Sequence, residues 1–149
     1  MKRVDWKKLI AAIIIPQLAG GLGALFTTPK INGWYASLNK PFFEPPSWLF
    51  GPVWTLLFLL MGIGLYIVWM KQKSLTDKVF KWFWIQLVFN VLWSVLFFGW
   101  EKPGWALIEI IFLWLAIRKM MKSFPYQLPY LAWVSFATVL NASVWWLNR

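Results

Sequence analysis

Residues 48–70 read WLFGPVWTLLFLLMGIGLYIVWM, twenty-three positions without a charged side chain. About 20 such residues in a helix cross the hydrocarbon core of a bilayer. No water reaches a backbone in lipid, so a spanning segment must bond its own N–H and C=O groups as a helix. Four more runs of the same character lie at 9–28, 79–99, 104–121 and 128–147. A closed barrel would need alternating ten-residue segments, and the chain has none. The expected architecture is one all-α integral membrane domain over residues 1–149, a five-transmembrane-helix bundle.

Composition agrees. Apolar types make up 60% of the chain and charged types 13%, against about half and a quarter in an average soluble domain. The net charge is +10, which in a soluble protein suggests nucleic acid. Here the charges sit in short clusters between apolar runs, the pattern of membrane-flanking residues, so no nucleic-acid partner is expected. The chain has no cysteine and no histidine. That removes disulfides, thiol nucleophiles, imidazole acid–base catalysis and the common zinc ligands, and no metal site is expected.

Five spans place the two ends on opposite sides. Eleven basic residues fall on the N-terminal side: Lys2, Arg3, Lys7, Lys8, Lys71, Lys73, Lys78, Lys81, Arg118, Lys119 and Lys122. Four fall on the other: Lys30, Lys40, Lys102 and Arg149. Basic loops stay inside, so the N-terminus is expected in the cytoplasm and the protein in a bacterial cell membrane. Trp6, Trp48, Trp69, Trp82, Trp100, Trp105 and Trp146 fall near the ends of the runs, where amphipathic rings favour the headgroup layer. Trp54, Trp93, Trp114 and Trp133 lie deeper and call for another explanation.

The break at 29–47 is the longest, and four prolines between residues 41 and 52 (Pro41, Pro45, Pro46 and Pro52) stiffen its second half and the start of the next run. Long rigid loops are often functional. This one is expected to expose Trp34, Tyr35, Phe42 and Phe43 and to act as a lid over the bundle end away from the basic side. In the third run Gln86 and Asn90 are four apart and share a face, continued by Trp93 and Phe97. Trp133, Ala137 and Leu140 follow the same spacing in the fifth. Such a face suits either an aromatic pocket for a flat ligand or hydrogen bonding between helices. Glu109 is the one acid within a run, a functional candidate by position. Gly20 and Ala24 have the small-xxx-small spacing that lets helices approach closely, within one chain or across a dimer.

Spaced matches along nearly the whole chain resemble the TspO/MBR family of tryptophan-rich sensory proteins and translocator proteins (peripheral benzodiazepine receptors). They are Trp34-Tyr35-x-x-Leu38-x-Lys40-Pro41-x-x-x-Pro45-Pro46, Gly51-Pro52-Val53-Trp54, Met61-Gly62, Gln86 with Asn90, Phe97-Phe98-Gly99, Gly104-Trp105-Ala106-Leu107, and Leu128-Pro129-Tyr130-Leu131-Ala132-Trp133 with Phe136 and Asn141. The resemblance implies a five-helix bundle, commonly a homodimer, with a ligand cavity under the first loop. It implies ligands such as protoporphyrin IX, haem, sterols and benzodiazepine-type drugs, and no required cofactor. The family's pocket positions match Tyr35, Phe50, Trp54, Phe58, Asn90, Trp93, Trp133, Ala137 and Leu140. The two tryptophans that the family links to light-dependent porphyrin breakdown match Trp54 and Trp133, which makes them the candidate catalytic pair. Two departures stand out. Phe42-Phe43 replaces the family's Ser-Trp, and Ala142 follows Asn141 where the sterol motif of animal members has tyrosine.

The resulting expectation is a receptor or sensor for a tetrapyrrole, with light-dependent degradation as its possible chemistry. The alternatives are a transporter of porphyrin or another amphiphile, in which Glu109 matters, and a membrane scaffold.

Overall fold

The computed structural model describes residues 3–149; Met1 and Lys2, the latter counted above among the basic residues, lie outside the described residues. Among the described residues there are five α-helices and no strand: α1 (Trp6–Lys30), α2 (Phe50–Trp69), α3 (Lys81–Ser94), α4 (Pro103–Met120) and α5 (Leu128–Leu147). Wide π-turns extend α1 through Ile31–Tyr35 and α3 through Val95–Gly99, and tight 3₁₀ turns precede α2 at Ser47–Leu49 and α3 at Lys78–Phe80. With these turns, Trp6–Tyr35, Ser47–Trp69, Lys78–Gly99 and Leu128–Leu147 are long and apolar enough to cross a membrane. Helix α4 has 18 residues and carries Glu109, Arg118 and Lys119.

The helix starts follow local chemistry. Asp5 caps α1, its Oδ1 accepting from the Lys8 N–H at 3.1 Å. Pro103 and Pro129 occupy the first turns of α4 and α5, where a missing N–H costs nothing. The Asp5 N–H donates to the Tyr66 hydroxyl at 3.1 Å, and Lys8 lies 5.5 Å from the Trp69 ring centroid. Lys119 lies 4.5 Å from the Trp82 centroid. The start of α1, the α2–α3 link and the end of α4 therefore share one end of the bundle. The clustered basic residues are gathered there.

The first loop is shorter than the sequence suggests. Pro29 lacks the N–H that would return to the Leu25 carbonyl, yet the helix continues past it and relaxes into the π-turn Ile31–Tyr35. The extra residue per turn swings Trp34 and Tyr35 inward. Tyr35 is buried and Trp34 half-buried, where the sequence suggested an exposed pair. Their rings meet Phe97 and Phe98 at centroid distances of 5.6 to 6.3 Å. The facing π-turn at Val95–Gly99 does the same for α3, so that adjacent Phe97 and Phe98 are both buried. The remaining segment, 38–46, crosses the bundle end. Phe43 packs edge-on against Phe136 of α5, and Asn39 and Asn148 exchange hydrogen bonds of 2.9 and 2.8 Å between their backbone and side chain. Phe42 is fully exposed. Lys30 pairs with Glu101, tying the end of α1 to the α3–α4 link.

Helices α1 and α2 touch at the basic end. Pro16 has no N–H to offer the Ala12 carbonyl, and Gly62 lies against that carbonyl. A Cβ at Gly62 would sit 2.7 Å from the Ala12 oxygen and 2.8 Å from Ile13 Cα, both backbone atoms that have no rotamer to escape into. A Cβ on Gly21, or on Gly51 near the start of α2, would meet nothing within 4 Å. The two helices therefore splay from a tight contact at one end to open space at the other.

Two variants test this geometry. Gly62→Ala forces the helices apart and should cost about 1–3 kcal/mol. Gly21→Ala should be neutral or stabilising by up to about 1 kcal/mol through helix propensity. Thermal unfolding in detergent, followed by near-ultraviolet circular dichroism, separates the two; equal melting temperatures would contradict the close contact.

Candidate functional site

The splay leaves a cavity of about 440 Å³ between α1, α2, α3 and α5, within the size range of sites for drug-sized ligands. Its apolar wall is built from rings. Trp54 and Phe58, one turn apart on α2, stack at 5.6 Å and 30°. Trp133 of α5 meets Trp54 edge-to-face at 6.5 Å and 89°, and Phe50 at 6.1 Å. Trp93 of α3 stacks on Phe97 at 4.9 Å and 23°. Rings in edge-to-face pairs hold one another through their quadrupoles, so the wall keeps its shape.

The nine residues singled out from the sequence, Tyr35, Phe50, Trp54, Phe58, Asn90, Trp93, Trp133, Ala137 and Leu140, all line this one cavity. They come from four elements and up to 105 positions apart in the chain, between Tyr35 and Leu140. Trp54 and Trp133, the candidate photochemical pair, touch edge-to-face in its wall. Among the described residues no charged side chain lines the cavity.

Asn90 divides its work. Its Nδ2 donates to the Tyr130 hydroxyl at 2.7 Å, and that hydroxyl donates to Gln86 Oε1 at 2.8 Å. Tyr130 and Gln86 are fully buried away from the cavity, so Gln86 serves interhelical bonding and Asn90 both uses. Asn141 is likewise engaged on both sides, accepting from Trp93 Nε1 at 3.0 Å and donating to the Pro103 carbonyl at 2.8 Å. That bond fixes the Trp93 ring plane. Of the other deep tryptophans, Trp114 points away from the cavity and donates to Ser135 Oγ at 2.8 Å. Lys40, one of the spaced matches in the first loop, does not line the cavity. Its ammonium donates to the carbonyls of Tyr35, Ala36 and Leu38 at 3.0 to 3.3 Å, capping the end of the first helix.

Helix α1 supplies the part of the site that sequence reading missed. Gln17, Gly20, Gly21, Gly23, Ala24, Thr27 and Thr28 line the cavity, with Ser94 and Phe98 opposite. Part of the signal was present as Gly20 and Ala24, read only as helix-packing residues. Gly20 does pack closely, because a Cβ there would stand 2.7 Å from the Phe58 ring. Its smallness is what leaves room for the Phe58 ring. Gly21, Ala24 and Thr28 on α1, and Gly51 and Thr55 on α2, line the cavity and are also exposed. The cavity therefore opens sideways between these two helices. Gln17 Nε2 donates to the Thr55 carbonyl at 3.1 Å and spans the opening toward its narrow end.

The sequence profile of the TspO/MBR family matches residues 12–147. The chain is 43% identical to the tryptophan-rich protein TspO of Archaeoglobus fulgidus over 95% of this chain and 97% of that protein. It is 42% identical to a protein of the same name from Chlorobaculum tepidum, over 88% and 90% of the two chains. It is 33% identical to the human translocator protein, over 94% and 89%. A match of this extent, with cover near nine-tenths or more on both sides, makes the chain a multi-pass membrane protein of the TspO/MBR family.

Proposed function

We propose that this protein is a membrane receptor or sensor that takes a flat tetrapyrrole, protoporphyrin IX foremost, into the aromatic cavity. The observation that carries the reading is the convergence of Trp54, Trp93 and Trp133 with Phe50 and Phe58 on one uncharged space. A macrocycle gains dispersion and area burial against such rings without losing a charged wall's hydration. The side opening between α1 and α2 suits an amphiphile already dissolved in the bilayer. Benzodiazepine-type ligands, flat and mostly apolar, fit the same description. The chain has no histidine or cysteine for axial ligation, which favours metal-free porphyrin over tightly held haem. In this reading α4 is the fifth span, its 18 residues reaching about 27 Å. The basic end is cytoplasmic.

Ser47, Ser94 and threonine hydroxyls line the cavity, but no acidic or basic side chain stands among them to activate one, so acid–base catalysis has no residue set there. Any turnover is photochemical. Light excites the bound porphyrin, dioxygen is the oxidant, and Trp54 and Trp133 are the side chains placed to react with or relay electrons to the excited pigment.

Titration of the purified protein in detergent, in the dark, with protoporphyrin IX and tryptophan fluorescence tests the binding. Saturable quenching with a dissociation constant of roughly micromolar, about −8 kcal/mol, is expected. Trp54→Phe and Trp133→Phe should each weaken it about tenfold, near 1.4 kcal/mol, and Ala137→Trp should abolish it by filling the space. Under illumination, loss of pigment should require both tryptophans. Unsaturable quenching, alike in all four proteins, would show partition into the micelle and end the reading.

Transport of the same ligand is supported by one observation. Glu109 is buried in α4 and neither carboxylate oxygen has a hydrogen-bond partner among the described residues. Intramembrane acids of this kind mark proton or cation pathways. Porphyrin uptake into proteoliposomes that depends on a proton gradient and is lost in Glu109→Gln, with dark binding unchanged, would establish transport. Under the receptor reading uptake is no faster than in protein-free vesicles.

A further inference from the structure

At the basic end, opposite the aromatic cavity, the end of α2 and the α4–α5 link enclose a second concavity of about 440 Å³. Its lining divides into two chemistries. Lys71, Gln72, Lys122 and Ser123 bring two cations and two neutral hydrogen-bonding groups to one side. Ile67, Met121 and Phe124 make the other side apolar. Lys71 and Lys122 are both exposed and come from different links of the chain, 51 positions apart. Among the described residues the one salt bridge is Lys30–Glu101, at the other end of the bundle. Among the described residues neither Lys71 nor Lys122 has a carboxylate or ring partner, whereas Lys8, Lys81 and Lys119 of the same end lie over tryptophans. The side chains of Gln72 and Ser123 also make no hydrogen bond within the described residues.

We propose that this groove binds one anionic phospholipid, the phosphodiester held between Lys71 and Lys122 and an acyl chain laid along Ile67, Met121 and Phe124. Three conditions meet in this place. Two cations line one groove and, among the described residues, neither pairs with an acid, so the missing partner is an anion. Hydroxyl and amide donors stand beside them, as a phosphate with several acceptor oxygens requires. Apolar side chains line the same groove as the ammonium groups, a surface that a free phosphate would leave uncovered and an acyl chain would cover. Basic pockets between helices near the membrane surface take lipid head groups for these reasons. Zwitterionic lipid offers the same phosphate but brings its own cation to the two lysines. The proposal is independent of what the aromatic cavity binds and of which side of the membrane this end faces.

Native mass spectrometry of the intact protein in a neutral detergent, titrated with phosphatidylglycerol, phosphatidylcholine or inorganic phosphate, tests it. The variants are Lys71→Gln/Lys122→Gln and a control, Lys7→Gln/Lys73→Gln, that removes two charges from the same end outside the groove. One phosphatidylglycerol should be retained by the parent and the control. Its apparent affinity should fall at least about tenfold in Lys71→Gln/Lys122→Gln and in the parent offered phosphatidylcholine. Equal weakening in both double variants would show diffuse charge attraction and overturn the site. Equal retention of phosphatidylcholine would remove the role of net charge. Competition by inorganic phosphate at matching concentration would show an anion site without a lipid. Circular dichroism of each variant confirms that the helices persist, which surface lysine-to-glutamine changes should not disturb.

Discussion

The contact between Gly62 and the Ala12–Ile13 backbone is the constraint on which the rest of the molecule depends. It holds α1 against α2 at the basic end, at a distance that no side chain permits. Pro16 contributes by leaving the Ala12 carbonyl without its helical donor, so the strip of backbone facing Gly62 has no hydrogen bond to lose. In a bilayer the hydrophobic effect does not drive helices together, so close van der Waals packing at small residues must do it. Fixing the pair at one end lets it open at the other. The open end, walled by α3 and α5, is the cavity.

A cavity in a membrane bundle must resist collapse, because helices gain packing by closing it. Rings oppose this collapse. Trp54 is held by Phe58 and Trp133, Trp93 by Phe97 and by its bond to Asn141, and Tyr35 by Phe97 and Phe98. The buried chain Asn90–Tyr130–Gln86 fixes α3 to α5 below the floor, and Gln86 reaches Met61 Sδ of α2 at 3.2 Å. Replacing Tyr130 by phenylalanine would break both of its bonds. Membrane hydrogen bonds of this kind are worth about 0.6–1.7 kcal/mol each. The cavity floor thus rests on polar groups and its walls on aromatic contacts, which together leave the interior free of charge.

Helices α2 to α5 lie close to the apolar runs because lipid imposes length and hydrophobicity on a span, and both are legible in one dimension. The first loop was not legible in the same way. Pro29 looked like a helix stop, but a π-turn absorbs the missing donor, and this is a choice made by tertiary contact of Trp34 and Tyr35 with Phe97 and Phe98. The convergence of the nine residues on one space could be expected on α3 and α5 from helical spacing, and elsewhere only from family resemblance. The α1 face escaped notice because small residues such as Gly20 and Ala24 signal close packing as readily as a site. The capping role of Lys40 was not legible, because it depends on where the chain turns.

The central claim is that a flat ligand sits between α1, α2, α3 and α5 rather than on the lipid-facing surface. The chain's fourteen tryptophans report on both places. Two-dimensional NMR of their indole N–H groups, with one equivalent of protoporphyrin IX added in the dark, reads them together through the ring current of the macrocycle. The structure predicts large shifts for Trp54, Trp93 and Trp133 and none for exposed Trp48, Trp105 and Trp146. Shifts concentrated on the exposed set, or graded evenly over all fourteen, would contradict it.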